Sequence, residues 1–229
     1  MPAVILFFAV SCPDPSDNSD EERPTHFPNV LKITGEQVYL PNYDTTKISQ
    51  ALIKFTDNNP LYVTIGLKNQ GFFEAGSGNI KNGKIDFTVS APEAKYLLNS
   101  DDFLDIYFDG WEKISMNTDA NCNVITLITS FSDEEQNEPH EVLIREGFSG
   151  TRTSLTGEYI YYAYADRNCT ITAEETVVSD LFYTYKAFEI NLKKGWNTIC
   201  KRETYTTSGN SSFYVEIKNP DIQWIMLEY

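Results

Sequence analysis

The stretch Ile80-Lys81-Asn82-Gly83-Lys84-Ile85-Asp86-Phe87-Thr88-Val89 decides the fold class. Asn82-Gly83 is a dipeptide that tolerates positive φ at both central positions of a type I′ turn, whose twist matches that of paired strands. Ile80 and Ile85 then face each other across the turn. Beyond it Ile85, Phe87 and Val89 alternate with Lys84, Asp86 and Thr88. One face of this strand is therefore apolar and the other polar. A β-hairpin with one dry and one wet face is predicted here.

The same period of two recurs along the chain. Leu61, Val63 and Ile65 form one such set. Phe188, Ile190 and Leu192 alternate with Glu189, Asn191 and Lys193, and Phe213, Val215 and Ile217 with Tyr214, Glu216 and Lys218. Lys194-Gly195 reads as a tight turn between a strand ending at Leu192 and one starting at Trp196. Helical signals are few: residues 92–98 make a short helix with Pro92 in its first turn. Strands broken by turn clusters every eight to twelve residues predict an all-β fold, an antiparallel β-sandwich. No long helical crossover of the kind a parallel sheet requires is visible. The small-residue stretch Gly147-Phe148-Ser149-Gly150-Thr151-Arg152-Thr153-Ser154 reads as a boundary between a sandwich domain over residues 27–150 and a second over 151–229.

The amino-terminal end carries an address. Residues 3–10 are an unbroken apolar run, followed by Ser11 and Cys12. The run is far short of the ~20 residues that span a bilayer and has the form of an export-signal core. Ala9-Val10-Ser11-Cys12 resembles the lipobox of bacterial lipoproteins, with alanine where leucine is usual and no basic residue ahead of the run. That resemblance implies a signal peptide over residues 1–11 and lipidation of Cys12, which would tie the chain to a membrane. Residues 13–24 contain no apolar side chain, so they cannot offset the entropy of ordering. Residues 12–26 are therefore expected to be a lipid anchor followed by a disordered acidic linker.

The net charge of −15 is unevenly spread. Residues 13–26 carry −4 and residues 131–146 carry −5, so the remainder is only mildly acidic. Phosphate binding needs clustered Lys and Arg, and nucleic acid is not an expected partner.

Besides Cys12 the chain has Cys122, Cys169 and Cys200. Cys169 shares parity with Ile171, and Cys200 with Trp196, so both point inward and form the candidate disulfide pair; an extracytoplasmic compartment permits one. No two cysteines have metal-ligand spacing, and the only histidines are His26 and His140, so neither a metal nor any other cofactor is expected. Asn117, Asp119, Asn121 and Asn123 place oxygens at alternate positions, but Cys122 and Ile128 stand where a calcium loop needs glycine and glutamate, leaving a polar turn. Gly147-Phe148-Ser149-Gly150 lacks the last glycine of a nucleophile elbow, and Gly76-Ser77-Gly78 precedes a hairpin instead of a helix. No catalytic residue is assigned. Tyr159, Tyr161, Tyr162 and Tyr164 crowd one strand and are the candidate binding aromatics, since tyrosine both stacks and hydrogen-bonds.

Several stretches together resemble the uncharacterised β-rich cell-envelope lipoproteins of spirochaetes and related Gram-negative bacteria. They are Gly35-Glu36-Gln37-Val38-Tyr39-Leu40-Pro41, the hairpin with the Gly76-Ser77-Gly78-Asn79 before it, Tyr161-Tyr162-Ala163-Tyr164-Ala165-Asp166, Leu192-Lys193-Lys194-Gly195-Trp196-Asn197 and Pro220-Asp221-Ile222-Gln223-Trp224. The resemblance implies β-sandwich architecture and attachment to the outer membrane, at its periplasmic face or the cell surface. It brings no catalytic residues. The expectation is a non-catalytic binding module for a protein or glycan partner. The alternatives are a secreted hydrolase using a carboxylate pair and a structural envelope or appendage component.

Overall fold

The computed structural model describes residues 29–42, 51–67, 71–131, 139–151, 154–179, 182–216 and 222–228. The predicted signal peptide, Cys12, the acidic linker and residues 132–138 of the second acidic stretch lie outside them. The first strands are β1 (Val30–Asn42), β2 (Ala51–Lys54), β3 (Asn59–Leu67), β4 (Gly71–Lys81) and β5 (Lys84–Ser90). A helix, α1 (Ser100–Tyr107), precedes β6 (Ile114–Met116), β7 (Cys122–Phe131), β8 (Pro139–Thr151), β9 (Ser154–Ala165) and β10 (Cys169–Ala173). The last are β11 (Thr176–Val178), β12 (Tyr183–Tyr185), β13 (Phe188–Leu192), β14 (Gly195–Thr206), β15 (Gly209–Glu216) and β16 (Trp224–Glu228).

The hairpin forms as its sequence dictates. Ile80 pairs with Ile85, and Asn82 and Gly83 have φ of 49° and 68°, the left-handed values that a type I′ turn requires. Gly83 is needed for space as well. A Cβ there would sit 1.7 Å from the Phe55 carbonyl oxygen, because the turn is pinned against β1: the Gly83 carbonyl accepts the Val38 N–H at 2.8 Å and Gln37 Nε2 at 3.0 Å. Ile85, Phe87 and Val89 are buried while Lys84, Asp86 and Thr88 are exposed. The strands at 61–65 and 188–192 also bury the residues expected.

Beyond these elements the architecture departs from a plain sandwich. From β7 the large sheet runs through β3, β4, β5, β1, β16 and β8, and β8 pairs with β7 again. These strands close into a ring, joined between β1 and β16 by the pairs Val38–Trp224 and Tyr39–Ile225. β9 pairs with both β7 and β8 and leads out of the ring as a wing continuing through β14, β15, β12 and β11. The pairing is mixed, since β1–β16 and β12–β15 are parallel. A separate three-stranded sheet, β13-β10-β6, completes the fold.

Two cores follow. Val38, Leu61, Ile80, Phe87, Tyr162 and Trp224 belong to the first, inside the ring. Phe103 and Phe108 of the α1 region, Ile171 and Ile190 of the small sheet, and Ala163, Ala165 and Ile199 of the wing belong to the second. β9 is thus buried on both faces: Ile160, Tyr162 and Tyr164 point into the first core, Ala163 and Ala165 into the second. The small alanine side chains let the three-stranded sheet approach closely.

The domain division expected near residues 147–154 falls inside the β8–β9 hairpin, where Arg145 to Thr151 pair with Ile160 to Ser154. Strands from 27–150 and 151–229 share one sheet and both cores, so the chain divides by layer and not by sequence. The helix expected over 92–98 is a single 3₁₀ turn, Ala94–Tyr96. The true helix starts at Ser100, where Asn99 Oδ1 accepts the Asp102 N–H at 2.9 Å as an N-cap. Tyr214, read as the polar side of its strand, is buried, while Phe213 is half-buried. No helix among the described residues is long and apolar enough to cross a membrane.

Candidate functional site

The residues of β14 alternate between the two faces of the wing. Trp196 and Cys200 enter the first core and Ile199 the second. Continuing from Ile199 on the same face come Lys201, Glu203 and Tyr205. There the three-stranded sheet no longer covers the wing, and the face opens into a cleft of about 470 Å³. Its other walls are Ile106, Tyr107 and Asp109 at the end of α1, Tyr161 of β9, Tyr183 and Tyr185 of β12, and Tyr214 of β15. Six tyrosines line a single opening.

A fixed ionic group lies among them. Lys201 Nζ is 2.8 Å from Glu203 Oε1, with the two side chains 27% and 12% exposed. The Tyr205 hydroxyl donates a short hydrogen bond to Glu203 Oε2, and the Tyr183 hydroxyl donates to Oε1 at 3.4 Å. Burial alone would raise the Glu203 carboxyl. The hydrogen bonds from Lys201, Tyr205 and Tyr183, with the Lys201 charge, outweigh it and hold the group below the ordinary carboxylate value. Tyr205 is pushed well above the ordinary phenol value by burial and by the carboxylate it donates to. Tyr214 is raised by burial and by nearby Tyr161 and Glu203. At neutral pH the cleft therefore offers an ionised acceptor at Glu203, the Lys201 ammonium beside it and aromatic faces.

Its back wall is rigid. The Tyr214 hydroxyl donates to the Tyr107 carbonyl at 2.7 Å, and the Tyr107 hydroxyl donates to Asn123 Oδ1 at 2.8 Å. Burial raises Tyr107 to about 12. Asn123, only 1% exposed, also accepts from the Val124 N–H at 2.8 Å. Its Nδ2 donates to the Gly66 carbonyl at 3.1 Å and the Tyr96 carbonyl at 2.8 Å. Every polar atom of this buried amide is used, as its burial requires.

The four candidate tyrosines of β9 divide by parity. Tyr161 lines the cleft, and Tyr159, on the same face, lies opposite Lys201 in register and beside a smaller cavity of about 160 Å³. Tyr162 and Tyr164 belong to the first core instead: Tyr162 stacks on Trp224 at 6.0 Å and 15°, and Tyr164 meets Trp196 edge-on at 5.3 Å. Alternation forbids all four from sharing a face. The expected Cys169–Cys200 bond is not formed; among the described residues no disulfide joins Cys122, Cys169 and Cys200, and all three are buried. Cys169 lies in the second core and Cys200 in the first, on the opposite face of the wing, where its Sγ donates to the Lys201 carbonyl at 3.6 Å.

Sequence reading missed Lys201, Glu203, Tyr205, Tyr183, Tyr185 and Tyr214. One signal was available: Lys201, Glu203 and Tyr205 extend the alternation of a strand beyond its apolar half. Among the described residues no three His, Cys, Asp or Glu side chains cluster as metal ligands. The chain matches no known protein family, and no curated protein or solved structure is similar to it.

Proposed function

We propose that this chain is a cell-envelope lipoprotein, anchored through Cys12, that binds a saccharide in the tyrosine-lined cleft without transforming it. One observation carries the reading: phenol faces and a fixed Lys201–Glu203 pair converge on one opening. Sugars present apolar C–H faces that stack on aromatic rings, and hydroxyls that need both donors and acceptors. The Glu203 carboxylate and the overall negative charge disfavour a phosphate-rich ligand. The apolar leader, Cys12 and the resemblance to envelope lipoproteins supply the location.

A hydrolase is the second reading, because Asp109 and Glu203 line the same cleft. Glycoside hydrolysis needs one protonated and one ionised carboxyl; Glu203, held ionised, could supply only the second, and its bonds to Lys201, Tyr205 and Tyr183 tie it to the protein, which favours binding. An appendage component would be supported by a long free edge, but the wing ends on β11, three residues long.

The test is a glycan-binding screen of the Cys12→Ala chain. At least one envelope oligosaccharide should bind, and Tyr161→Ala should weaken it about tenfold or more, about 1.4 kcal/mol. Failure across the screen, with a protein captured from solubilised envelopes and lost in Tyr161→Ala, would replace the saccharide by a protein partner. Cleavage of a bound glycan, abolished by Asp109→Asn, would replace binding by hydrolysis.

A further inference from the structure

The second core holds two thiols. Cys122 opens β7 in the large sheet, and Cys169 opens β10 in the small one. Both are buried in that one core, at 0% and 4% exposure. The backbone around each sulfur is fixed. Cys122 exchanges hydrogen bonds with Leu98, N to O at 2.9 Å in both directions. Next to it, the Asn121 N–H and Nδ2 donate to the Asp166 carboxylate at 3.0 and 2.9 Å, and the Asp166 N–H returns to the Asn121 carbonyl at 3.0 Å. On the far side of Cys169, the Thr170 N–H donates to Asn117 Oδ1 at 2.7 Å and the Asn117 N–H to the Thr170 carbonyl at 3.0 Å.

We infer that Cys122 and Cys169 are a preorganised disulfide pair that staples the small sheet to the large one under oxidising conditions. Two thiols buried in one core, on segments clamped to each other through Asn121–Asp166 and Asn117–Thr170, need no long-range search to join, whereas Cys200 lies in the other core. The oxidant is a disulfide of the glutathione type. One of the two cysteines, as its thiolate, attacks one of the oxidant's sulfurs and expels a thiolate. The other, deprotonated, then attacks the protein sulfur of the mixed disulfide and expels the second. One protein S–S bond forms, two protein S–H bonds are lost, and the small disulfide is reduced to two thiols.

The pairing differs from what chain statistics favour. Cys169 and Cys200 are closer in sequence than Cys122 and Cys169, and shorter loops close at lower entropic cost. The Cys12→Ala chain, refolded in a mixture of reduced and oxidised glutathione and then alkylated in denaturant, separates the two. With no reduction step, Cys200 alone should be alkylated, and peptide mapping should join Cys122 to Cys169. After reduction all three should be alkylated. The Cys200→Ala variant should form the same bond, and the oxidised chain should unfold at higher urea than the reduced one. Full alkylation of Cys122 and Cys169 without reduction, or a bond that includes Cys200, would overturn the inference.

Discussion

At one end of the β9–β14 face, Ala163, Ala165 and Ile199 lie under the three-stranded sheet and α1; at the other, Tyr161, Lys201, Glu203 and Tyr205 line an open cleft. The strands and their alternation are the same at both ends. What changes is the layer above them, and the side chains follow it. Where the small sheet lies close, the wing carries small and aliphatic residues that exclude water. Where it stops, the same parity carries phenols and an ion pair. The covered end fixes the fold, and the open end is left free to bind.

Removing packing from the covered end should have the largest effect. Ile171→Ala, at a position with no exposure in the small sheet, should lower the unfolding free energy by about 2–5 kcal/mol, measured by urea denaturation. A loss well below that would mean that the small sheet is not tightly packed on the wing, and the comparison would break.

The join between the two ends should respond next. Asn123→Ala leaves the Gly66 and Tyr96 carbonyls and the Tyr107 hydroxyl without the partners they now have. It should cost about 1–3 kcal/mol. Because Tyr107 is a wall of the cleft, saccharide affinity should fall in the same variant under conditions where it remains folded. Lost stability with unchanged affinity would separate the cleft from its supposed support.

The smallest effect belongs to the open end. Glu203 is held below its unfolded value of about 4.3. Its contribution is present above that value and is lost as pH falls through the lower folded value. Glu203→Gln should therefore flatten the decline of the urea midpoint below about pH 5, by less than about 1 kcal/mol, because the desolvation of a pair only 27% and 12% exposed offsets much of its attraction. An unchanged slope would mean that the Lys201–Glu203 pair is not formed in solution.

Legibility in the sequence followed the range of the interactions. The Asn82-Gly83 hairpin was readable because its turn, pairing and buried face are set within ten residues. The strand at 188–192 was readable for the same reason, and Gly195, with φ of 103°, turns the chain after it. Tyr214 was misread because Phe213, Val215 and Ile217 look like the apolar set. A tyrosine can be buried when its hydroxyl finds a partner, and here that is the carbonyl of distant Tyr107. The candidate site was half legible. The tyrosine-rich strand was visible, and alternation within it already implied that Tyr159 and Tyr161 face away from Tyr162 and Tyr164. Which pair met solvent was not decided there, because β9 is buried on both sides for part of its length.

The sequence by itself determined the all-β class, the hairpin, the strand faces with clean alternation and the absence of long helical crossovers, since each rests on backbone preferences and local periodicity. Only the tertiary structure decided that the sheet closes through β1 and β16, where Val38 meets Trp224 from the other end of the chain. It also decided that Cys169 shares a core with Cys122 instead of Cys200, and that Lys201, Glu203 and Tyr205 share a cleft with Tyr161. Such contacts depend on which layer covers which face, and no local pattern encodes where a covering layer ends.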